Sequence, residues 1–349
     1  MIECCILKGR TTTEDQFKRF LDSYFEALKN RENWTDVVYH PYSDVVSTFM
    51  VDSDEAESSV KTHIEALGLD VSSELSEGRL FVILRRSDDP GELRNEFLAN
   101  LGMYYTEEEA KKYHLAFMFF DGDDEISDNY FNFDESLVMG KGFAMMNPVA
   151  VYGDEATDQY PLKWCQSSLG ADMFECALTD KIGGQCWGKV WEWQVCKESK
   201  FGRGLFEDVR FWYDITKKYR NPLLLWNHIY YWYRNNPSAL TRSIANEAQI
   251  RDGLDNLEYA KNIARSVYPY SDKRVWKRYT TGVQVLLRNA QKSSDPNEMA
   301  KYIANNIDSN AFKPELLRQE EPKFFAKLMD DFPNYLDWEK NFVEQINEN

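Results

Sequence analysis

Between Gln185 and Tyr233 lie Trp187, Trp191, Trp193, Trp212, Trp226 and Trp232, six of the ten tryptophans in the chain. Phe201, Phe206, Phe211, Tyr213, Tyr219, Tyr230, Tyr231 and Tyr233 are interleaved with them. Each large ring can bury about 150–250 Å². A chain that carries such a stretch must fold around it, as a core or as the joint between two layers. With 15% aromatic residues overall, there is ample apolar surface to offset ordering, which argues against disorder. The 349 residues suffice for two or three domains of about 100–200 residues each.

Ahead of that stretch the pattern alternates between periods of two and of 3.6. Residues 1–9 read as a strand covered on both faces, because both alternating sets (Ile2, Cys4, Ile6 and Cys5, Leu7) are apolar. Thr13 and Gln16 form a capping box. The helix after it puts Phe17, Phe20, Leu21, Tyr24, Phe25 and Leu28 on one face. Strands are expected at Asp36–His40 and Val45–Val51, with turn residues between them. A helix with the stripe Ala56, Val60, Ile64 and Leu67 follows, then a strand at Arg79–Arg85. Asp89 and Pro90 start a further helix, Thr106 and Glu109 a short one, and His114–Phe120 reads as a buried strand. The order strand, helix, strand, strand, helix, strand predicts an α+β fold with a ferredoxin-like mixed sheet. That arrangement alone carries no function.

Residues 1–120 are thus expected to form an acidic α+β domain. Residues 121–204 read as an irregular, β-rich aromatic connector, and 205–349 as a helical bundle with an acidic tail. Within the bundle, Leu223–Tyr233 is apolar on nearly every side, which predicts its central helix. Further helices are expected at about 238–250, 254–267, 273–291, 296–306 and 313–329, with Phe332, Tyr335, Leu336, Trp338 and Phe342 as anchors in the tail.

The net charge of −17 is uneven. Residues 1–150 carry 30 acids against 14 Lys and Arg, whereas residues 201–300 carry 10 against 16. An acidic face attracts basic partners and repels polyanions and anionic membrane. No run approaches the roughly 20 apolar residues of a membrane span, and Met1–Leu7 lacks a basic leader, so a soluble, cytoplasmic protein is expected. Cys4, Cys5, Cys165, Cys176, Cys186 and Cys196 read as reduced, buried thiols and match no paired zinc framework.

Four groups of residues could carry chemistry. Asp121, Asp123 and Asp134 belong to a carboxylate cluster just after a buried strand, and could hold Mg²⁺ through oxygen. The calcium-loop pattern fails, because Ile126 stands where its glycine is needed. Residues 138–144, VMGKGFA, pair glycines around Lys141 and could bring backbone amides to a phosphate. This run is similar to a glycine loop of some ADP-ribose-binding macrodomains. The asparagine-rich strand that should precede such a loop is missing, and no second phosphate loop follows. The four histidines, His40, His63, His114 and His228, have no metal-ligand spacing, and His228 reads as a core histidine. Finally, Lys217, Lys218 and Arg220, with Lys273, Arg274, Lys277 and Arg278, form bands that could grip nucleic-acid phosphates.

With no convincing catalytic set, the leading expectation is a regulatory or assembly protein. It would need no cofactor and would engage a basic protein partner through its acidic surface. The alternative is a Mg²⁺-dependent phosphodiester or nucleotide hydrolase that uses Asp121, Asp123 and Asp134, with nucleic acid held along residues 201–300.

Overall fold

The computed structural model describes residues 1–9, 12–35, 45–66, 80–84, 87–152, 155–158, 172–179, 185–233 and 246–323, with 326 and 340. The expected strand Asp36–His40, Cys165, His40 and the anchors of the acidic tail lie outside them.

The alternation in the first third appears as β1 (Ile2–Leu7), α1 (Glu14–Thr35), β2 (Val45–Val51), α2 (Asp54–Ala66), β3 (Leu80–Leu84), α3 (Pro90–Tyr104), α4 (Glu107–Lys112) and β4 (Ala116–Asp121). The sheet is mixed and the coarse α+β class is as expected, but the ferredoxin-like arrangement does not form. β1 pairs in parallel with both β2 and β4, and β2 in parallel with β3. Each of these connections carries a helix, and a crossover of that length returns the chain parallel rather than as a hairpin. Helices cover both faces. Phe20 and Tyr24 of α1 meet Phe120, while Phe97 of α3 meets Phe117 and Phe119 on the opposite side of the same strand.

The sheet runs on through β5 (Glu125–Ile126), β6 (Phe143–Tyr152), β7 (Glu155–Asp158), β8 (Lys189–Glu192) and β9 (Leu223–Tyr233), in the order β3-β2-β1-β4-β8-β6-β9-β5, with β7 beside β6. Helix α5 (Met173–Leu178) precedes β8, and α6 (Trp193–Cys196) and α7 (Asp208–Lys218) lie between β8 and β9 in the chain. The expected central helix Leu223–Tyr233 is therefore a strand, parallel to β6 with a register shift between Met146 and Asn147. A continuous apolar run does not by itself distinguish a helix from a strand covered on both faces, and the aromatic density of this one suits a pleated surface. Pro222 stands just before it, where a missing N–H costs the ladder nothing.

The chain divides into two compact units. One comprises Met1–Met173, Gln185–Lys200 and Asp214–Ala239, the other Phe174–Gly184, Phe201–Tyr213 and Leu240–Asn349. The first holds the sheet, around a core that includes Phe17, Phe20, Tyr24, Phe49, Phe120, Trp187 and Tyr230. In the second, α8 (Glu247–Arg265), α9 (Lys273–Ala290) and α10 (Pro296–Asn306) pack through Leu254, Leu257, Val283, Leu286 and Ile303. The break expected within α8 is absent. Gly253 lets the helix come close to Leu205 and Leu286, each 3.0 Å from where its Cβ would stand.

Candidate functional site

In the strand order β3-β2-β1-β4 the chain builds outward in one direction and then returns to the other side of β1. Open sheets of this kind take ligands outside the carboxyl ends of their strands, where the order reverses. That point lies between β1 and β4. Leu7 is in register with both Met50 and Asp121, so Lys8, Asp52 and Asp121 all emerge at one edge.

The edge is dense with charge. The largely buried Lys8 ammonium lies 2.9 Å from Asp52 Oδ1 and 3.1 Å from Glu14 Oε1. Arg94, in the second turn of α3, is also buried and donates to Asp121 Oδ1 at 3.0 Å. Asp89 starts that helix as its N-cap, which aims its first turns at the same edge. Gly122 follows Asp121 and donates to Leu7 O at 2.8 Å. A Cβ there would stand 3.0 Å from both Leu7 O and the Phe17 ring, so close approach of the two strand ends requires glycine. Asp121 and Asp123 are partly exposed.

Asp124 does the opposite. It is buried, accepts from the Tyr230 hydroxyl at 2.8 Å and from Tyr233 N at 3.0 Å, and burial pushes its carboxyl well above the ordinary range. Glu125 pairs with Arg19 Nε at 2.5 Å and accepts from the Tyr233 hydroxyl at 2.6 Å. The acidic run thus divides by position: Asp121 and Asp123 stand at the opening, while Asp124 and Glu125 are bound inward.

Asp134 is not part of this group. It caps a 3₁₀ turn (Glu135–Val138) by accepting from Ser136 N. Among the described residues no three His, Cys, Asp or Glu side chains could hold a metal ion together. The glycine run also differs from expectation. Gly140 N and Gly142 N both donate to Glu192 Oε2, at 2.7 and 3.2 Å. The amides that resembled a phosphate cradle already hold an internal carboxylate, and the exposed Lys141 sits in the turn between them.

The basic residues are distributed into ion pairs. Arg220 meets Asp172 at 2.6 Å, Arg274 meets Asp272 and Glu175, and Lys277 meets Glu321 at 2.5 Å. Lys273 lies 3.9 Å from Glu320, and Arg278 stands over the Phe206 ring. Lys217 and Lys218 end α7 (Asp208–Lys218), exposed, where they complement its dipole. His228 is buried, its Nδ1 2.9 Å from Asn129 O, and burial lowers its pKa, as for a core histidine, though on β9 rather than a helix. Trp187, Trp191 and Trp193 are buried. Cys4, Cys5, Cys176, Cys186 and Cys196 are buried and, among the described residues, not joined in disulfides.

Sequence reasoning missed Lys8, Asp52 and Arg94. Each is a lone charge beside a strand or helix end, with no motif around it. The signal that could have found them is parallel pairing of β1, β2 and β4, which brings their ends together.

No protein-family model matches the chain, and no curated protein matches it by sequence. Solved structures do match it. The fold resembles that of S. aureus TarS. TarS 1–349 in complex with UDP-GlcNAc superposes with a TM-score of 0.51 at 13% identity, over 96% of this chain and 91% of that one. A further crystal structure of TarS 1–349 scores 0.43 at 12% identity, over 95% and 80%, and the complex with UDP scores 0.42 at 12%, over 96% and 91%.

The expectation of a regulatory protein with an acidic docking face is overturned here, and with it the alternative of a phosphodiester or nucleotide hydrolase. The chain shares its fold, nearly end to end, with a protein crystallised on a nucleotide-sugar. Asp52, Asp121 and Glu125 are, besides, paired with Lys8, Arg94 and Arg19. Among the described residues no helix is long and apolar enough to cross a membrane.

Proposed function

We propose that this protein binds a nucleoside diphosphate-sugar at the carboxyl edge of β1, β2 and β4 and transfers the sugar to an acceptor hydroxyl. The observation that carries the reading is the position of Asp121 and Asp123, directly after β4 at the point where strand order reverses. That sheet belongs to a fold shared with TarS, which binds UDP-GlcNAc.

The donor chemistry at this edge suits the substrate. Carboxylate oxygens without His or Cys favour a hard cation such as Mg²⁺ or Mn²⁺. Such an ion is ordinarily held by one or two carboxylates together with substrate phosphates, so the lack of a three-ligand cluster among the described residues is no obstacle. When bound, it would neutralise charge that develops on the leaving diphosphate. Asp121 and Asp123 would hold it. Lys8 and Arg94 are cations at the same edge, and both are already partly desolvated, which strengthens their attraction for a diphosphate. Arg94 also suits planar, two-pronged contact with phosphate oxygens.

In the transfer, the acceptor oxygen forms a bond to the anomeric carbon. The bond from that carbon to the phosphate oxygen breaks, its electron pair leaves with the nucleoside diphosphate, and the acceptor proton passes to a base.

Titration calorimetry with UDP and UDP-GlcNAc in MgCl₂ or MnCl₂ tests the reading, with ADP and GDP as comparison. Metal-dependent binding is expected in the wild type, and Asp121→Ala and Asp123→Ala should each weaken it at least tenfold. A folded wild type that binds no nucleoside diphosphate with metal present would refute the reading.

A further inference from the structure

We propose that Tyr230, through its bridge to Asp124, is the positioning residue that sets the Asp121–Asp123 turn for metal and diphosphate. The inference rests on the nucleotide-sugar reading above and concerns a residue that would touch neither ligand.

The need for such a residue follows from the sheet. β4 is paired with β1 along its whole length, as far as Asp121. On its other side the ladder with β8 stops at Met118, which faces Val190. The last residues of β4, those that carry the site, thus run on past their neighbour on that side. The Tyr230 hydroxyl stands there and accepts from Asp121 N at 3.2 Å. It supplies the acceptor that a longer β8 would otherwise have offered.

The same hydroxyl donates to Asp124 Oδ2 at 2.8 Å, and the other carboxylate oxygen of Asp124 accepts from Tyr233 N at 3.0 Å. One phenol therefore ties both ends of the turn, the amide of Asp121 and the carboxylate of Asp124, to β9. β9 is itself stitched to the chain just beyond the turn, because Glu125 pairs with Tyr231 and Ile126 with Tyr230. Tyr230 has little freedom to move. It is fully buried, with the Trp187 ring stacked on it at 4.8 Å and 10°, and Phe120 on another side at 6.3 Å.

This arrangement also explains the unlike treatment of neighbouring acids. Asp124 is drawn inward and satisfied there, which leaves Asp121 and Asp123 as the carboxylates turned to the edge. Groups that must hold a metal within a few tenths of an ångström are typically fixed by such outer partners, whose loss costs about 10–100-fold in metal affinity.

The test uses the whole chain and Tyr230→Phe, which keeps the ring and its stack on Trp187 and removes only the hydroxyl. Tyr24→Phe is the comparison, since it deletes another buried phenol of the same core, bonded to Ser47 at 2.9 Å. Two readouts apply. Hydrogen exchange of the ligand-free protein should rise in residues 121–126 for Tyr230→Phe and stay at the wild-type level there for Tyr24→Phe. Calorimetry with UDP should show metal-dependent affinity falling about tenfold or more for Tyr230→Phe, with binding in EDTA unchanged. Asp124→Ala removes the other end of the same bridge and should reproduce both effects.

Wild-type exchange in residues 121–126 for Tyr230→Phe and Asp124→Ala overturns the proposal, whether or not UDP binds. Equal loss of metal-dependent affinity in Tyr24→Phe overturns it too, because the effect would then be general loosening. A wild type that binds no UDP would instead refute the nucleotide-sugar reading and leave the exchange result to decide the positioning role.

Discussion

Replacing Glu192 by alanine removes the one carboxylate oxygen shared by two backbone amides. Gly140 N and Gly142 N reach Glu192 Oε2 at 2.7 and 3.2 Å, and Glu192 N in return donates to Gly142 O at 3.0 Å. Glycine is needed at both positions, where φ is +75° and +82°. The clamp closes the loop that delivers β6 to β8, beginning with Phe143 opposite Trp191. In Glu192→Ala the buried Gly142 amide has no acceptor, which costs about 1–3 kcal/mol. The Gly140 amide regains water, and its loss is about 1 kcal/mol net. The sum, about 2–4 kcal/mol, is a large share of a domain's usual stability of about 5–15 kcal/mol. Glu192→Gln keeps an acceptor but loses the charge assistance and should cost about half as much. Urea unfolding followed by tryptophan fluorescence measures both, and hydrogen exchange of residues 138–146 localises the effect. If Glu192→Ala unfolds within about 0.5 kcal/mol of wild type, or exchange in that loop is unchanged, the clamp does not hold it and the loop's amides are open to another ligand.

Other outcomes follow from the same kind of argument. Burial raises the Glu3 carboxyl to about 7, even though Tyr105 donates to it. Because the folded pKa lies above the unfolded one, this group's relative stability is full below about pH 4.5 and falls as pH rises through 7. Glu3→Gln should therefore be more stable than wild type at pH 8, by about 3 kcal/mol as an upper figure, and no more stable at pH 4; thermal melts at the two pH values check it. Asn256, fully buried in the helical unit, donates to Arg203 O and Leu205 O at 2.7 and 2.9 Å and accepts from Arg210 Nε at 2.7 Å. Asn256→Ala should cost about 2–4 kcal/mol through unsatisfied buried groups, read from urea midpoints, with exchange rising in residues 201–210. Gly122→Ala should cost about 1–3 kcal/mol by overpacking against Leu7 O and Phe17 and lower metal-dependent UDP affinity; unaltered melting and unaltered UDP titration together would count against the close approach of the two strand ends.

The first third of the chain announces most of its elements locally. The apolar face of α1, the caps at Asp89 and Thr106 and the buried run of β4 all depend on neighbours within a few residues, and each forms near its expected place. Strand direction does not depend on neighbours. Whether β1 and β2 lie parallel or in a hairpin is decided by the length of what joins them, and a strand counted at Asp36–His40 is what produces the ferredoxin-like order. The Leu223–Tyr233 segment shows the same boundary in another form. It is apolar on nearly every side, so its period is silent, and partners on β6 and β5 make it a strand.

The candidate site divides in the same way. Asp121 and Asp123 were legible, because carboxylates clustered directly after a buried strand form a local pattern. Asp134 belonged to the same pattern on the page and to a different turn in space. Lys8 and Asp52 lie 44 residues apart and Arg94 lies 27 residues from Asp121, and no local pattern marks them. By itself the sequence determined the apolar faces of the early helices and strands and which acids follow a strand, since both follow from the chemistry of short segments. The tertiary structure decided which of those acids face outward, which basic residues meet them and which tyrosine holds the turn, because burial and pairing of charge depend on atoms about a hundred residues away.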